Sequence, residues 1–541
     1  MSSSKRNGYL VLAAMIFAVA MTFIDQTIVS ISVPEIQREL GLTETGIQWI
    51  INGYLLTLAA LFAFGGKIAD VFGRRKMVVL GVLIFATASA LCGATPKGDI
   101  AEAWMIGFRL IQGAGAAIMF PAALAIVMAS FPIERRGQAV AIFFGITGAL
   151  TSVGPIAGGY LTEWTWRAIF WVNIPVAIIA LVLIFISKPD DKARPQKVDY
   201  RGAVLIAIGM GLTVLGFQQS ANWGWSSPLT WGAIVLGLIV LAIFVRNQLN
   251  SDNPLLKLQI FKDRAFAANN AILFLLSIAF VPLFFFASTY AQISLGDDPS
   301  DAGLYLLVFF GGFGLASQWG GKILDTRGAR HAVVPGSIIA AVGFYFWATK
   351  LTEISPDGGG LGAQWPFIVL AGIGLGLVLS PASTDAINRA PNTSYGEATG
   401  ITQTVRNFAA SFGLAILGTI LLTQNRANIE NSLGGLGIPT EKADAIAQSL
   451  SQSGGGDRGQ FIGELGSKAE KAFSAVQLDY AMATRTVFYV MAGVMAVCFV
   501  VALLFSPPGK MEEVLVTDED LDAGPAGGPG DGAGTGPGPG S

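Results

Sequence analysis

Residues 65–75 read GGKIADVFGRR, and residues 320–330 read GGKILDTRGAR. Each stretch follows a long apolar run and leads into another. A second set of matches lies further along, where Pro121, Pro132, Gly137 and Gly154 recur as Pro381, Pro391, Gly396 and Gly413. The two spacings are nearly equal, at 255 residues and about 259. The chain therefore contains two similar halves in the same orientation.

The composition of the chain excludes a water-soluble protein. The 541 residues are 52% hydrophobic and 13% charged, whereas a soluble chain carries about 25% charged residues. Apolar runs of about 20 residues recur, each long enough to cross a hydrocarbon core of roughly 30 Å. A β-barrel is excluded because its strands alternate polar and apolar residues. The sequence predicts an all-α integral membrane protein.

Fourteen transmembrane helices are predicted. The spans lie at approximately 9–33, 47–68, 77–95, 102–128, 138–161, 168–187, 202–220, 229–248, 266–290, 302–323, 332–350, 366–387, 398–422 and 485–506. Six spans per repeat leave two unmatched spans between the repeats. We expect an N-terminal six-helix bundle at 1–190, two extra helices at 191–250, and a C-terminal six-helix bundle at 251–506. The second bundle contains a long outer loop at 423–484, and the Gly/Pro-rich segment 507–541 is expected to be a disordered cytoplasmic tail.

Charge gives the orientation and excludes several function classes. Most of the 34 basic residues fall in loops on the side of the termini. The protein is therefore expected in a bacterial inner membrane with both termini on the cytoplasmic side. A net charge of −2 gives no support for a nucleic-acid partner. One histidine and two cysteines inside apolar runs do not predict a metal site. Nucleotide-binding and nucleophile motifs are missing, so an enzyme is not expected.

Four motifs carry a family resemblance. They read GKIADVFGRRK at 66–76, RLIQGAG at 109–115, GPIAGG at 154–159 and IDQTIVSISVP at 24–34. Together they resemble the major facilitator superfamily, and more closely its fourteen-span drug:proton antiporters. Parallel six-span repeats are typical of such two-bundle transporters, which implies the major facilitator fold. Departures from the family pattern occur at Ile68, Val71, Leu150 and Ser30.

The resemblance assigns roles to two of these motifs. In the first, Gly73 permits a tight turn and Asp70 can accept hydrogen bonds. The family implies that Asp70, Gly73 and Arg74 form a conformational latch between the bundles. Gly154, Pro155, Gly158 and Gly159 match the antiporter motif that marks exporters. Glycine and proline soften a helix and allow a neighbour to pack closely.

Asp25 is the acidic residue that lies deepest within a predicted span. An aspartate at mid-membrane costs about 2.5–3.5 kcal/mol, so such residues usually face a cavity. Asp25 lies roughly 22 Å from the inner end of its span, and Arg109 lies roughly 10 Å from the outer end of its own. In a core near 30 Å these depths coincide, and the family fold places the two spans side by side. We predict that Asp25 and Arg109 couple protons to substrate, with Trp49, Tyr54 and Gln112 lining the cavity.

Weaker features give further expectations. Phe280, Phe284, Phe285 and Phe286 are expected to face lipid rather than a substrate. Asp385, near the inner end of its span, is expected to be solvated or paired. The two extra spans are expected to be peripheral to the transport path, because they contain no intramembrane charge.

The predicted function is export of amphipathic, aromatic or cationic drugs in exchange for protons. The expected partners are a small-molecule substrate, protons and membrane lipids, the expected state is a monomer, and no cofactor is implied. One alternative is a lipid or glycolipid transporter of the same fold. Another is a membrane assembly or sensor protein that does not transport. Proton-driven uptake is disfavoured by the motif at 154–159.

Overall fold

The computed structural model describes residues 3–131, 139, 142–147, 150–189, 197–354, 360–390, 395–436 and 469–509. The chain is helical through most of these residues. The helices are α1 (Ser3–Ile31), α2 (Val33–Leu40), α3 (Glu44–Phe72), α4 (Arg74–Gly93), α5 (Ala101–Ala129), α6 (Val153–Trp164), α7 (Ala168–Trp171), α8 (Asn173–Ser187), α9 (Tyr200–Trp223), α10 (Pro228–Asn250), α11 (Arg264–Tyr290), α12 (Pro299–Arg327), α13 (Arg330–Lys350), α14 (Gly360–Asn388), α15 (Tyr395–Gly435) and α16 (Ala469–Phe505). A 3₁₀ turn at Leu258–Lys262 precedes α11, and a π-helical turn at Ala291–Leu295 follows it.

Thirteen helices in the described residues are long and apolar enough to cross a membrane. The fifth predicted span, 138–161, is described only in part, and there residues 142–147 and Val153–Trp164 are helical. Helix α15 continues to Gly435, and α16 begins at Ala469, so both ends of the predicted loop 423–484 are helical. The tail lies outside the described residues from position 510.

The repeat is visible in the backbone as well as in the sequence. Gly73 ends α3 at φ 104°, and Gly328 ends α12 at φ 90°. Both turns need a positive φ, which glycine adopts without a side-chain clash. A second pair, Gly41 (φ 65°) and Gly296 (φ 74°), shares the 255-residue offset. The two halves therefore make the same sharp turns at corresponding places.

The two bundles meet most closely at one face. We call the ends of the helices near Gly41 the Gly41 face and the opposite ends, near Arg74, the Arg74 face. At the Gly41 face, Gln292 Nε2 donates to the Ile31 carbonyl at 2.8 Å. Gly159 of α6 lies against the Pro299–Ser300 backbone, and a Cβ there would be 2.7 Å from Pro299 O. These contacts close the Gly41 face.

The two extra helices differ in how they pack. Helices α9 and α10 form a tight pair through Gly209, Gly216 and Gly237, whose missing side chains let the backbones approach. Helix α9 also contacts both bundles: the Gln218 amide lies 2.6 Å from the Asn52 amide of α3, and Thr419 of α15 donates to the Phe217 carbonyl at 2.8 Å. Helix α9 thus covers the junction between α3 and α15.

The expectation of lipid-facing phenylalanines on α11 is wrong. Phe280, Phe284, Phe285 and Phe286 are all buried, at 7% exposure or less. Phe284 stacks on Phe310 of α12 with ring centroids 5.2 Å apart. Hydropathy alone does not distinguish a side chain buried among helices from one in lipid, because lipid and protein interiors are similarly apolar.

Candidate transport site

Asp25 of α1 lies at the centre of a buried polar cluster in the first bundle. Its Oδ2 is 2.6 Å from Arg109 Nη1, and its Oδ1 accepts a hydrogen bond from Gln112 Nε2 at 2.9 Å. Arg109 Nη1 also donates to Gln112 Oε1 at 2.8 Å. The exposed fractions of the Asp25 and Arg109 side chains are 0% and 1%. Both carboxylate oxygens are therefore satisfied by charge-assisted or amide hydrogen bonds away from water.

Close packing of α5 on its neighbours positions Arg109. A Cβ at Gly113 would be 2.6 Å from the Tyr54 carbonyl of α3, and one at Gly115 would be 2.7 Å from the Phe85 nitrogen of α4. Glycine at these positions lets α3 approach, so Arg109 Nε reaches the Ile50 carbonyl at 2.8 Å. The small residues of the RLIQGAG motif thus hold the cation in place.

Tyr54 and Trp49 lie in different environments. The guanidinium of Arg109 sits 4.5 Å from the centroid of the Tyr54 ring, a cation–π contact, and Tyr54 Oη donates to the Thr22 carbonyl at 3.2 Å. Tyr54 and Gln112 are fully buried around the ion pair. Trp49 lies away from this cluster, where its indole nitrogen is 3.1 Å from the Gln218 amide of α9.

The residues of the expected latch form a local pair. Arg74 Nε donates to Asp70 Oδ1 at 2.9 Å, one helical turn apart across the Gly73 turn. The Asp70 side chain is 34% exposed and the Arg74 side chain is 28% exposed. Their bond holds the beginning of α4 against the end of α3 at the Arg74 face.

The glycines of the GPIAGG motif lie where three helices meet. Gly154 is directly against the Thr27 hydroxyl of α1, and Gly158 lies against the Ile28 carbonyl. Thr27 Oγ1 in turn donates to the Thr151 carbonyl at 2.9 Å. Gly159 faces α12 of the other bundle, and Pro155 packs on Gly303 of the same helix. The motif therefore joins the Asp25 helix to the second bundle.

The second bundle contains a buried aspartate of its own. Asp385 of α14 is 2.8 Å from Nε of Arg389, the residue that directly follows the helix, and its Oδ2 accepts from Asn269 Nδ2 at 2.7 Å. Its side chain is 2% exposed. Asp385 is thus paired and not solvated.

Comparison with known proteins identifies the family. The model of the Major Facilitator Superfamily matches residues 15–414. The chain belongs to the major facilitator superfamily. It is a multi-pass membrane transporter and not an enzyme.

Named relatives of this transporter include resistance proteins. It is 32% identical over 416 residues to the tetracenomycin C resistance and export protein of Streptomyces glaucescens, covering 76% of each chain. It is 31% identical over 413 residues to the puromycin resistance protein pur8 of Streptomyces alboniger, covering 76% of this chain and 81% of the relative. Multidrug resistance protein Stp of Mycobacterium tuberculosis is 29% identical over 432 residues, with 79% and 78% covered.

Solved structures share the fold of the transporter. A bacterial homologue of the human lysosomal transporter Spinster, solved in an inward-facing, unoccupied conformation, matches with a TM-score of 0.59 at 17% identity, over 92% of this chain and 98% of that one. A D-xylose–proton symporter matches with a TM-score of 0.54 at 12% identity, over 83% and 95% of the two chains.

Several polar residues of the transporter were not found from the sequence. Asn52 of α3 accepts a hydrogen bond from the Ser411 hydroxyl of α15 and contacts Gln218 of α9, so it joins three helices. Sequence reasoning searched the spans for charges and passed over uncharged amides. An amide inside an apolar run would have been a usable signal, because its donors and acceptors need partners in the membrane.

Proposed function

We propose that this transporter exports amphipathic, aromatic compounds from the cytoplasm in exchange for protons. Two observations support the proposal. The named relatives include exporters and resistance proteins for antibiotics. The buried Asp25–Arg109 pair supplies an acidic group that can exchange a proton inside the membrane.

The Asp25–Arg109 contact carries the mechanism. Removal of water disfavours a charged carboxylate, while the guanidinium at 2.6 Å favours it. Movement of α1 relative to α5 would lengthen this contact and allow Asp25 to take a proton. The closed Gly41 face would be the outer side, and the Arg74 face, with its basic turn, would be cytoplasmic. In this arrangement Arg109 holds Asp25, and the bundle would be ready to receive substrate.

The organisation around the mechanism is part of the proposal. The two bundles, residues 1–190 and 251–506, would rock against each other during transport. The extra helices in residues 191–250 would lie beside the bundles, and both termini would be in the cytoplasm. Asp70, Gly73 and Arg74 would stabilise the opposite, outward-facing arrangement. The GPIAGG glycines would let α6 slide along α1 and α12 as the outer face opens. We expect a monomer in the bacterial inner membrane.

Efflux from intact cells tests the function. A panel of fluorescent aromatic dyes and antibiotics is loaded into cells that express the transporter, and accumulation is compared with and without an uncoupler. We expect lower accumulation that the uncoupler abolishes. Identical accumulation with and without the transporter across the panel would refute export.

Asp25→Asn tests the coupling residue. We expect the variant to insert and fold but to lose uncoupler-sensitive efflux, because an amide cannot carry the proton. Asp385→Asn is a matched control, since it also removes the charge of a buried aspartate that contacts an arginine. It should keep the coupling. Wild-type efflux with unchanged pH dependence in Asp25→Asn would remove Asp25 from the mechanism.

A further inference from the structure

Arg406 is a cation of α15 whose side chain is partly buried in the second bundle. It lies eleven residues after the start of α15, or about 16 Å along the helix. Its Nη1 donates to Gln403 Oε1 at 2.9 Å on the same helix, and its Nε has no hydrogen-bond partner within the described part of the chain. Among the described residues it makes no ion pair. Charged groups at such depth are costly and usually face a cavity or a ligand.

The neighbouring groups on the same face of α15 are also unsatisfied. Thr402 lies one turn before Arg406 and is 2% exposed, and no residue that the structure describes forms a hydrogen bond with its hydroxyl. Residues four apart share a helix face. Ser411, which contacts α3, lies five residues on, about 140° around the helix from Arg406. Arg406 and Thr402 therefore point away from α3.

The register with α11 places two buried asparagines at the same depth. Gly413, on the Arg406 face, lies against the backbone of Ile278, and α11 and α15 run in the same direction. Seven residues earlier on each helix, Arg406 comes level with Ala271, which directly follows the buried Asn269 and Asn270. These side chains are 0% and 2% exposed, and each leaves its Oδ1 unpaired. Asn269 faces α14, where its Nδ2 donates to Asp385, whereas Asn270 lies nearer the side of α11 that faces α15. Buried polar atoms without partners at this depth indicate a place where a polar ligand could supply the missing hydrogen bonds.

The chemistry of this cluster selects a negatively charged group. Arg406 offers a planar set of donors, and Thr402 adds a hydroxyl that can donate. In the first bundle the charge of Asp25 is already neutralised by Arg109, so that site offers no free carboxylate to a cationic compound. A lipid phosphate is a poor fit, because headgroups lie at the edge of a core of roughly 30 Å and Arg406 lies about 16 Å along its helix.

We infer that Arg406 and Thr402 bind the acidic group, a carboxylate or phenolate, of an amphipathic aromatic substrate. The inference rests on the proposed function and narrows it from aromatic compounds in general to aromatic anions. Arg406 contacts the acidic group, and the unpaired Asn270 oxygen accepts a hydrogen bond from a donor group elsewhere on the same molecule.

Two dyes with the same ring system and opposite charge test this binding. The purified transporter in phosphatidylcholine nanodiscs is titrated with anionic fluorescein and with cationic rhodamine 123, and binding is followed by fluorescence anisotropy. Wild type should prefer fluorescein. Arg406→Gln should weaken fluorescein binding by about tenfold or more, because a hydrogen bond to a charged group is lost. Rhodamine 123 binding should change less than about twofold in the same variant.

A matched pair on α15 provides the control. Thr402→Val should weaken fluorescein binding by about threefold to tenfold, the range for one hydrogen bond. Thr404→Val makes the same change at a hydroxyl that is also buried and unpaired, but two residues on, at the opposite side of the helix. It should leave binding unchanged. If Arg406→Gln does not fold, the comparison of Thr402→Val with Thr404→Val still tests the proposed binding site.

The outcomes separate this inference from the proposed function. Undetectable fluorescein binding, a preference for rhodamine 123, or equal weakening of both dyes by Arg406→Gln would overturn it. Equal effects of Thr402→Val and Thr404→Val would also overturn it. Because the titration needs no proton gradient, a failure of coupled efflux in cells leaves the binding result standing on its own.

Discussion

In the first bundle, Asp25 and Arg109 belong to different helices, α1 and α5, whereas in the second bundle Asp385 and Arg389 are four residues apart, at the end of α14 and just after it. Both aspartates are buried and both contact an arginine. A movement of one helix relative to another can break the first pair but carries the second along intact. The pair between two helices is therefore suited to respond to a conformational change, and the local pair at the end of α14 is suited to withstand it.

Thermal stability gives the largest expected difference between the two pairs. Asp25→Ala leaves Arg109 buried without its charge partner and should cost about 3–5 kcal/mol. Asp385→Ala should cost less, because the Arg389 side chain is 17% exposed and can turn toward water. The melting temperatures of both variants, purified in one detergent, measure this. The double variant Asp25→Asn with Arg109→Gln should recover part of the stability lost in Asp25→Ala. Equal losses of stability in Asp25→Ala and Asp385→Ala would contradict the expected difference between the two pairs.

Transport rates test whether the turn at Gly73 and the turn at Gly328 differ in function. Asp70→Asn and Arg74→Ala should slow transport by shifting the conformational balance about 1–3 kcal/mol, while the folded protein remains in place. Asp325, at the position of the repeat that matches Asp70, is a matched control, because the structure shows no hydrogen bond or ion pair to its side chain in the described residues. Asp325→Asn should have the smaller effect. Normal transport rates in both Asp70→Asn and Arg74→Ala would mean that the motif sets only the membrane topology and has no role in transport.

Glycine packing should be the property that the two bundles share. Gly154→Ala would press on the Thr27 hydroxyl, and Gly413→Ala on the Ile278 backbone. We expect each to destabilise the transporter, Gly154→Ala toward the lower end of about 1–3 kcal/mol because Thr27 can rotate. Gly145→Ala is the control, since nothing lies within 4 Å of a Cβ built there. Unfolding measurements that find Gly145→Ala as harmful as the other two would contradict this packing.

The acidic groups at the Gly41 face give the smallest expected effect. Burial, together with nearby Asp301 and Asp298, raises the pKa of Asp297 to about 6. The protonated form of Asp297 stabilises the folded protein fully below about pH 4, and this stabilisation is lost as the pH rises through about 6. The melting temperature of the wild type should therefore rise between pH 7 and pH 5, and Asp297→Asn should remove that part of the rise.

Glu39 in the first bundle provides the opposite case for the same measurement. Burial would raise its pKa, but hydrogen bonds from Trp166, Arg167 and Lys97 outweigh burial and lower it. Its contribution is present above pH 4.5 and is lost as the pH falls through its lowered pKa. Glu39→Gln should leave the change between pH 7 and pH 5 intact. If Glu39→Gln abolished the change in melting temperature between pH 7 and pH 5, that change would belong to Glu39 and not to Asp297.

The sequence predicts the helices and the Asp25–Arg109 contact better than it predicts which faces are buried. Length and apolar composition determine a membrane span, and a rise of 1.5 Å per residue places Asp25 and Arg109 at one depth. The buried phenylalanines of α11 were misplaced because neither hydropathy nor periodicity distinguishes lipid from a helix neighbour. The unsatisfied cluster around Arg406 depends on the relative rotation of α11 and α15, which only the three-dimensional packing gives.

Helix α9 makes the two lateral seams between the bundles unequal. It packs on both α3 and α15 and so lies over one seam, while the seam between α6 and α12 is formed by direct contact of those two helices. An apolar compound dissolved in the bilayer would find the seam between α3 and α15 covered by α9, and the seam between α6 and α12 without such a cover in the part of the chain that the structure describes. Entry from the leaflet would then be one-sided, and bulky groups placed along α6 and α12 should obstruct it more than the same groups along α3 and α15.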